Sequence, residues 1–254
     1  MFKITVSLWL LLFVTFSLAA QETKDDLTRL QNGEDLNVLY RHEANFGIFI
    51  HSAAGFGIAY RRGNHVTAKR KRMFETELTN FKHPKEVKSL NSNFVNSKGF
   101  IYGKLNAVFI IRTGIGFQNV MYQKIDKKNV EIRYSYFLGA TLGFAKPVYL
   151  EVKKGTSPPL PSVERYNPDI HKQEDILGKA SFFKGFDKTV IYPAVYSKFA
   201  LSFEYADRYN DIKAIETGTI LEVYPRAMPI MAFNKKQQLF VSLYLKMIWG
   251  KKWF

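Results

Sequence analysis

Ten charged residues share an unusual setting in this 254-residue chain: Glu43, Arg61, Arg112, Glu131, Arg133, Lys198, Glu204, Glu216, Glu222 and Lys246. Each stands on the polar side of a stretch in which apolar and polar residues alternate. Five are acids and five are bases. If those stretches enclose an interior, the charges must be paired there, because an unpaired buried charge is costly. An interlocked network of salt bridges is therefore the expected content, with a narrow ion path as the functional alternative.

Other chemistry is sparse. The five histidines, His42, His51, His65, His83 and His171, are scattered without the spacing of a metal site, and the chain has no cysteine. Thiolate ligands, thiol nucleophiles and disulfides are thereby excluded, and no cofactor or metal is expected. Gly114-Ile115-Gly116 lacks the strand-to-helix setting of a nucleotide-binding loop. His51 next to Ser52 is the one pair that serine–histidine catalysis could draft, and no third member stands at a fixed spacing.

The elements that position these residues are strands. From Asn129 to Lys146, Val130, Ile132, Tyr134, Tyr136, Leu138, Leu142 and Phe144 take one parity, while Glu131, Arg133, Ser135, Gly139, Thr141 and Gly143 take the other. Successive strand side chains point to opposite faces, so this is one long two-faced strand. Its length far exceeds the usual ~5–6 residues, and its charged face suits no dry core. A membrane-spanning barrel with a lipid-facing exterior and a polar interior accounts for both features.

The same alternation recurs at 43–51, 56–62, 66–79, 105–117, 195–205, 212–224 and 238–250, giving eight strands in an antiparallel up-and-down transmembrane β-barrel. Residues 43–62 read either as two strands or as one bent strand. Short turns near 62–65, 125–128 and 207–211 alternate with longer loops near 81–100, 152–190 and 226–237, the proline-bearing segment after Glu151 being the longest. Outer-membrane barrels place short turns in the periplasm and long loops outside. Ahead of the barrel, residues 1–20 have the basic start, apolar run and small-residue end of a cleaved signal peptide. Residues 21–41 form a polar periplasmic lead-in, and 42–254 the barrel.

The formal charge of +15 would ordinarily suggest nucleic acid. Export argues against that partner and favours outer-membrane lipid and lipopolysaccharide, whose phosphates attract basic rims. The run Lys69-Arg70-Lys71-Arg72 is the candidate anionic-lipid contact, with a solvated strand extension as the plainer alternative. The chain as a whole is too polar for a bundle of membrane helices.

The signal ending Ala19-Ala20-Gln21, the aromatic-rich alternating strands and the terminal strand LFVSLYLKMIW resemble small outer-membrane β-barrel proteins of Bacteroidota-type Gram-negative bacteria. Segments 81–86 (FKHPKE), 102–106 (YGKLN) and 146–150 (KPVYL) share that resemblance, which covers most of residues 40–254. Some such barrels, including type IX secretion-associated ones, serve protein secretion. The resemblance implies a monomeric, non-enzymatic barrel acting through extracellular loops or an envelope protein partner in assembly or secretion. The final Gly250-Lys251-Lys252-Trp253 departs from the usual aromatic assembly signal. A lipid-modifying barrel enzyme and a secreted water-soluble ligand barrel are the alternatives, and the latter requires the two faces to be reversed.

Overall fold

The computed structural model describes residues 40–53, 55–91, 97–124, 129–154, 160–206, 210–234 and 237–254. The expected leader and most of the lead-in lie outside the described residues. Thirteen strands follow in chain order: β1 (His42–His51), β2 (Gly55–His65), β3 (Arg70–Phe81), β4 (Lys88–Ser89), β5 (Phe100–Ile101), β6 (Asn106–Tyr122), β7 (Glu131–Pro147), β8 (Tyr149–Lys154), β9 (Leu160–Arg165), β10 (Ile176–Lys179), β11 (Val190–Glu204), β12 (Asp211–Met228) and β13 (Gln237–Trp253).

Eight of these close into an antiparallel barrel in the order β1-β13-β12-β11-β7-β6-β3-β2. Apart from the β1–β13 seam, neighbours in the sheet are successive barrel strands, so the topology is up-and-down. Residues 43–62 form two strands, with the chain turning at Ser52 and Ala53. Closure is made by β1 on β13, from His42 opposite Trp253 to His51 opposite Tyr244. A closed sheet leaves no row of unpaired backbone groups along an edge.

The start of β1 and the end of β13 sit at one end of the barrel, with the strand ends His65 and Arg70, Tyr122 and Glu131, and Glu204 and Asp211. The strand ends Phe81 and Asn106, Pro147 and Val190, and Met228 and Gln237 sit at the other, with the turn at Ser52 and Ala53. We refer to these as the short-turn end and the long-loop end. The expectation of an irregular loop after Glu151 is corrected here. β8 pairs with both β9 and β10 in a three-stranded sheet, and β4 pairs with β5. Phe100, Leu150, Val152, Tyr166 and Ile176 give that sheet its own small core. Burial pushes the Tyr166 phenol up, and its oxygen accepts a hydrogen bond from the Gly103 amide at 3.2 Å.

The two faces of the barrel follow sequence parity. Leu138, Val241 and Leu243 are 60–66% exposed on the outside. Inside, glycines make room for large rings. Gly114 stands opposite Gly139 in the β6–β7 register. A Cβ on Gly139 would lie 2.2 Å from the Thr113 carbonyl oxygen and 2.8 Å from the Tyr196 ring. The missing side chain is what admits the buried Tyr196 ring.

Candidate functional site

Alternation on six strands delivers eight ionised side chains to the middle of the lumen. Arg61 comes from β2, Glu75 and Glu77 from β3, Arg112 from β6, Lys198 from β11, Glu216 and Glu222 from β12, and Lys246 from β13. All eight are buried. Arg61 grips Glu216 with two hydrogen bonds, 2.8 Å from Nη1 and 2.9 Å from Nη2, and donates from Nε to Glu75 at 2.8 Å. Arg112 grips Glu222 through Nε and Nη2, both at 3.0 Å, and reaches Glu77 at 3.3 Å. Planar guanidinium groups suit such bidentate pairing.

The two lysines join these arginine units. Lys198 Nζ lies 2.5 Å from Glu75 and 2.6 Å from Glu77, and Lys246 Nζ 3.0 Å and 2.7 Å from the same two acids. Tyr244 donates its hydroxyl to Glu216 at 2.8 Å. Four cations meet four carboxylates, so the cluster is neutral as a whole. Aromatic faces complete the packing: the Arg61 guanidinium sits 4.8 Å from the Phe137 ring centre, and Lys198 Nζ 4.8 Å from that of Tyr244. Desolvating an ion costs several kcal/mol, and only dense pairing of this kind offsets it.

A second layer lies nearer the short-turn end. Lys71 donates to Glu43 at 2.5 Å, Arg133 meets Glu131 and Glu204 at 2.5 Å each, and Lys252 meets Glu204 at 2.8 Å. At the long-loop end the lumen is instead closed by apolar side chains, among them Phe81, Ile110, Tyr192, Tyr224, Met228 and Phe240. Along the axis, then, two ionic layers are followed by a greasy lid.

All ten residues singled out by parity point into the barrel, nine of them buried within the pairs of these two layers and Glu131 at the edge, with 15% of its side chain exposed. Glu75 and Glu77, the acids at the centre, were not among them. Their parity matches Lys71 and Met73, opposite the outward Phe74 and Leu78, and that signal would have found them.

The basic run Lys69–Arg72 does not form one lipid-facing patch. Lys71 is buried in the lumen on Glu43, because β3 turns it inward. Arg70 and Arg72 face outward at the short-turn end. Arg70 stacks 4.2 Å from the Phe117 ring centre and donates to the Tyr136 hydroxyl at 3.2 Å. Lys69 sits half-buried in the bend before β3.

His51 and Ser52 also diverge. The His51 ring is buried, with Nε2 at 3.1 Å from Thr79 Oγ1 and 3.0 Å from the Asn80 carbonyl oxygen. Ser52 is exposed, and its hydroxyl accepts the Leu243 amide at 3.1 Å. The pair is not arranged for proton transfer between them. Among the described residues, no group of three or more histidine or acidic side chains is placed to hold a metal ion.

No known protein family and no curated protein matches the chain by sequence. Two solved structures resemble its shape. One is Ail, the attachment invasion locus protein of Yersinia pestis, at 7% identity and a TM-score of 0.38, the alignment covering 84% of this chain and 97% of that one. The other is the translocator domain of the autotransporter NalP from Neisseria meningitidis, at 7% identity and a TM-score of 0.22, covering 92% and 97%. No residue role is carried over from either. The eight-stranded closed barrel stands on its own strand order and register.

Proposed function

We propose that this chain is an outer-membrane β-barrel with a sealed lumen, which acts through the surface of its long-loop end in envelope assembly or secretion. One observation carries the reading: the ion pairs are inside and the exposed aliphatic and aromatic side chains are outside. A water-soluble ligand barrel needs the reverse. Ten residues of β6 separate Phe117, beneath Arg70, from Ala107, which pairs with Lys146. That is about 33 Å along a strand; at a usual tilt of 35–45° it spans roughly 25 Å of height, the thickness of the apolar band on such barrels. Trp249 and Trp253 on β13, with the Tyr40–Phe254 ring contact at 5.2 Å, add aromatic residues at the short-turn end, as an interfacial girdle requires.

The neutral, densely paired cluster makes the lumen a plug. Reconstituted in planar bilayers, the protein is expected to give no resolved current steps; steady unitary conductance would show an open path and overturn the sealed lumen. Interaction through the loops is tested separately. A photo-crosslinker at exposed Ile170, in the loop connecting β9 to β10, should capture an envelope protein in intact cells. The same probe at Leu142, facing lipid, should not. Equal capture from both positions, or from neither, would remove the loop-acting role.

A further inference from the structure

A crevice of about 740 Å³ lies outside the barrel wall at the long-loop end, between the upper part of β6 and β7 and the loop sheet. Its floor is apolar, formed by Phe100, Ile101, Ala107, Val148 and Leu150, while Lys82, Lys88, Lys104, Lys146, Lys179 and Lys184 stand around it. Lys98 also lines it, and the only acids present are Glu86 and Glu151. Both are already engaged, Glu86 by Lys104 at 2.5 Å and Glu151 by Lys98 at 2.9 Å. Lys82, Lys88, Lys179 and Lys184 are exposed and meet no carboxylate among the described residues.

Lys146 is the most telling member. It is 6% exposed, yet its ammonium meets no carboxylate. It donates to the Phe182 carbonyl oxygen and lies 4.3 Å from the Phe182 ring centre and 4.8 Å from that of Phe186. Carbonyl and ring faces partly solvate a cation but do not neutralise it. The Lys146 ammonium therefore keeps donor capacity beyond the Phe182 carbonyl, and the lysines around it favour an anion as the partner that takes it up.

We propose that this crevice binds the phosphorylated head group of an anionic outer-leaflet lipid. The assignment rests on the membrane reading above and adds the ligand class. Height favours a lipid over a free anion: Lys146 lies about 25 Å from the Arg70–Phe117 level, at the far boundary of the apolar band. Phe182, Phe183 and Phe186 beside it are about half or more exposed, with Phe183 at 79%. Aromatic side chains of this kind sit at membrane interfaces. The floor of the crevice can take the first carbons of an acyl chain while the lysines take the phosphates.

The test uses the mature chain, first shown to be inserted by its heat-modifiable migration and by protease protection in phosphatidylcholine nanodiscs doped with bis-phosphorylated lipid A. Native mass spectrometry then reads the lipid retained. The wild type should hold one lipid A, and dephosphorylated lipid A should be held at least tenfold less. Two variants are compared, Lys146→Gln and the exposed double Lys88→Gln/Lys184→Gln, so that a folding defect in the first leaves the second informative. Each should retain lipid A at least tenfold less than the wild type. Retention equal to wild type in a folded double variant overturns the site. Displacement of lipid A by inorganic phosphate at matched concentration would make it a soluble-anion site and overturn the lipid assignment. A chain that does not insert overturns the membrane reading, and the lipid with it; insertion without retention overturns this inference alone.

Discussion

Glu75→Gln is expected to destabilise the folded barrel by about 3–5 kcal/mol, the cost of breaking a buried ion pair by removing one partner. The effect is large because one carboxylate serves three cations: Arg61, Lys198 at 2.5 Å and Lys246 at 3.0 Å. The neutral amide leaves the cluster with an uncompensated positive charge in a site no solvent reaches. Charge balance then predicts the second half of the experiment. Lys198→Gln added to Glu75→Gln restores neutrality, so the double variant should lose less than the sum of the single losses, with a coupling of roughly 0.5–3 kcal/mol. Urea titration of reversible insertion into lipid vesicles, followed by Trp249 and Trp253 fluorescence, measures each variant. Additive losses, with Glu75→Gln below about 1 kcal/mol, would mean that water fills the lumen and screens the charges, and the plug would have to be given up.

The cluster also shows where sequence reasoning reaches its limit. Period-two alternation places an isolated charge inside or outside, which is why Arg112 and Glu216 were legible. It does not say which charges meet across the lumen. Arg61 and Glu216 are 155 residues apart and join only because β1 closes on β13. Glu75 and Glu77 were hidden by the neighbouring run Lys69–Arg72, in which basic residues of both parities obscure the pattern. The alternation legible in the sequence of β11 starts at Val195. In the barrel Pro193 stands opposite Leu142, and the strand begins at Val190. A proline offers no amide hydrogen, so it is tolerated only where the ladder asks for none.

The loop sheet was the part least open to prediction. Its strands are four to six residues long, and β8 finds β10 only after a long excursion. Its core borrows Phe100 from a different loop. Neither a short alternation nor a local turn signal encodes such a contact. The lysine crevice inherits this difficulty, since its cations come from four separate stretches of chain and converge only once the sheet is docked.

The outward face supplies the second large effect. Leu142→Arg should cost about 2–4 kcal/mol, as a cation does at the middle of a bilayer, whereas Val130→Arg should cost at most about 1 kcal/mol. Both positions are exposed and apolar, at 42% and 46%, so simple exposure predicts no difference between them. Depth does. Leu142 lies on β7 four residues before Lys146 and six after Tyr136, well inside the ~25 Å band, while Val130 precedes the strand at the short-turn end. Thickness of the bilayer sharpens the result: an arginine near the middle should be tolerated better in a thinner membrane, where its side chain more easily reaches a head group. The two variants are compared in vesicles of short- and long-chain phosphatidylcholine by the same urea titration. Equal costs below about 1 kcal/mol for both, independent of chain length, would mean that the apolar face of these strands meets water, and neither a sealed transmembrane lumen nor a lipid-level crevice could then stand.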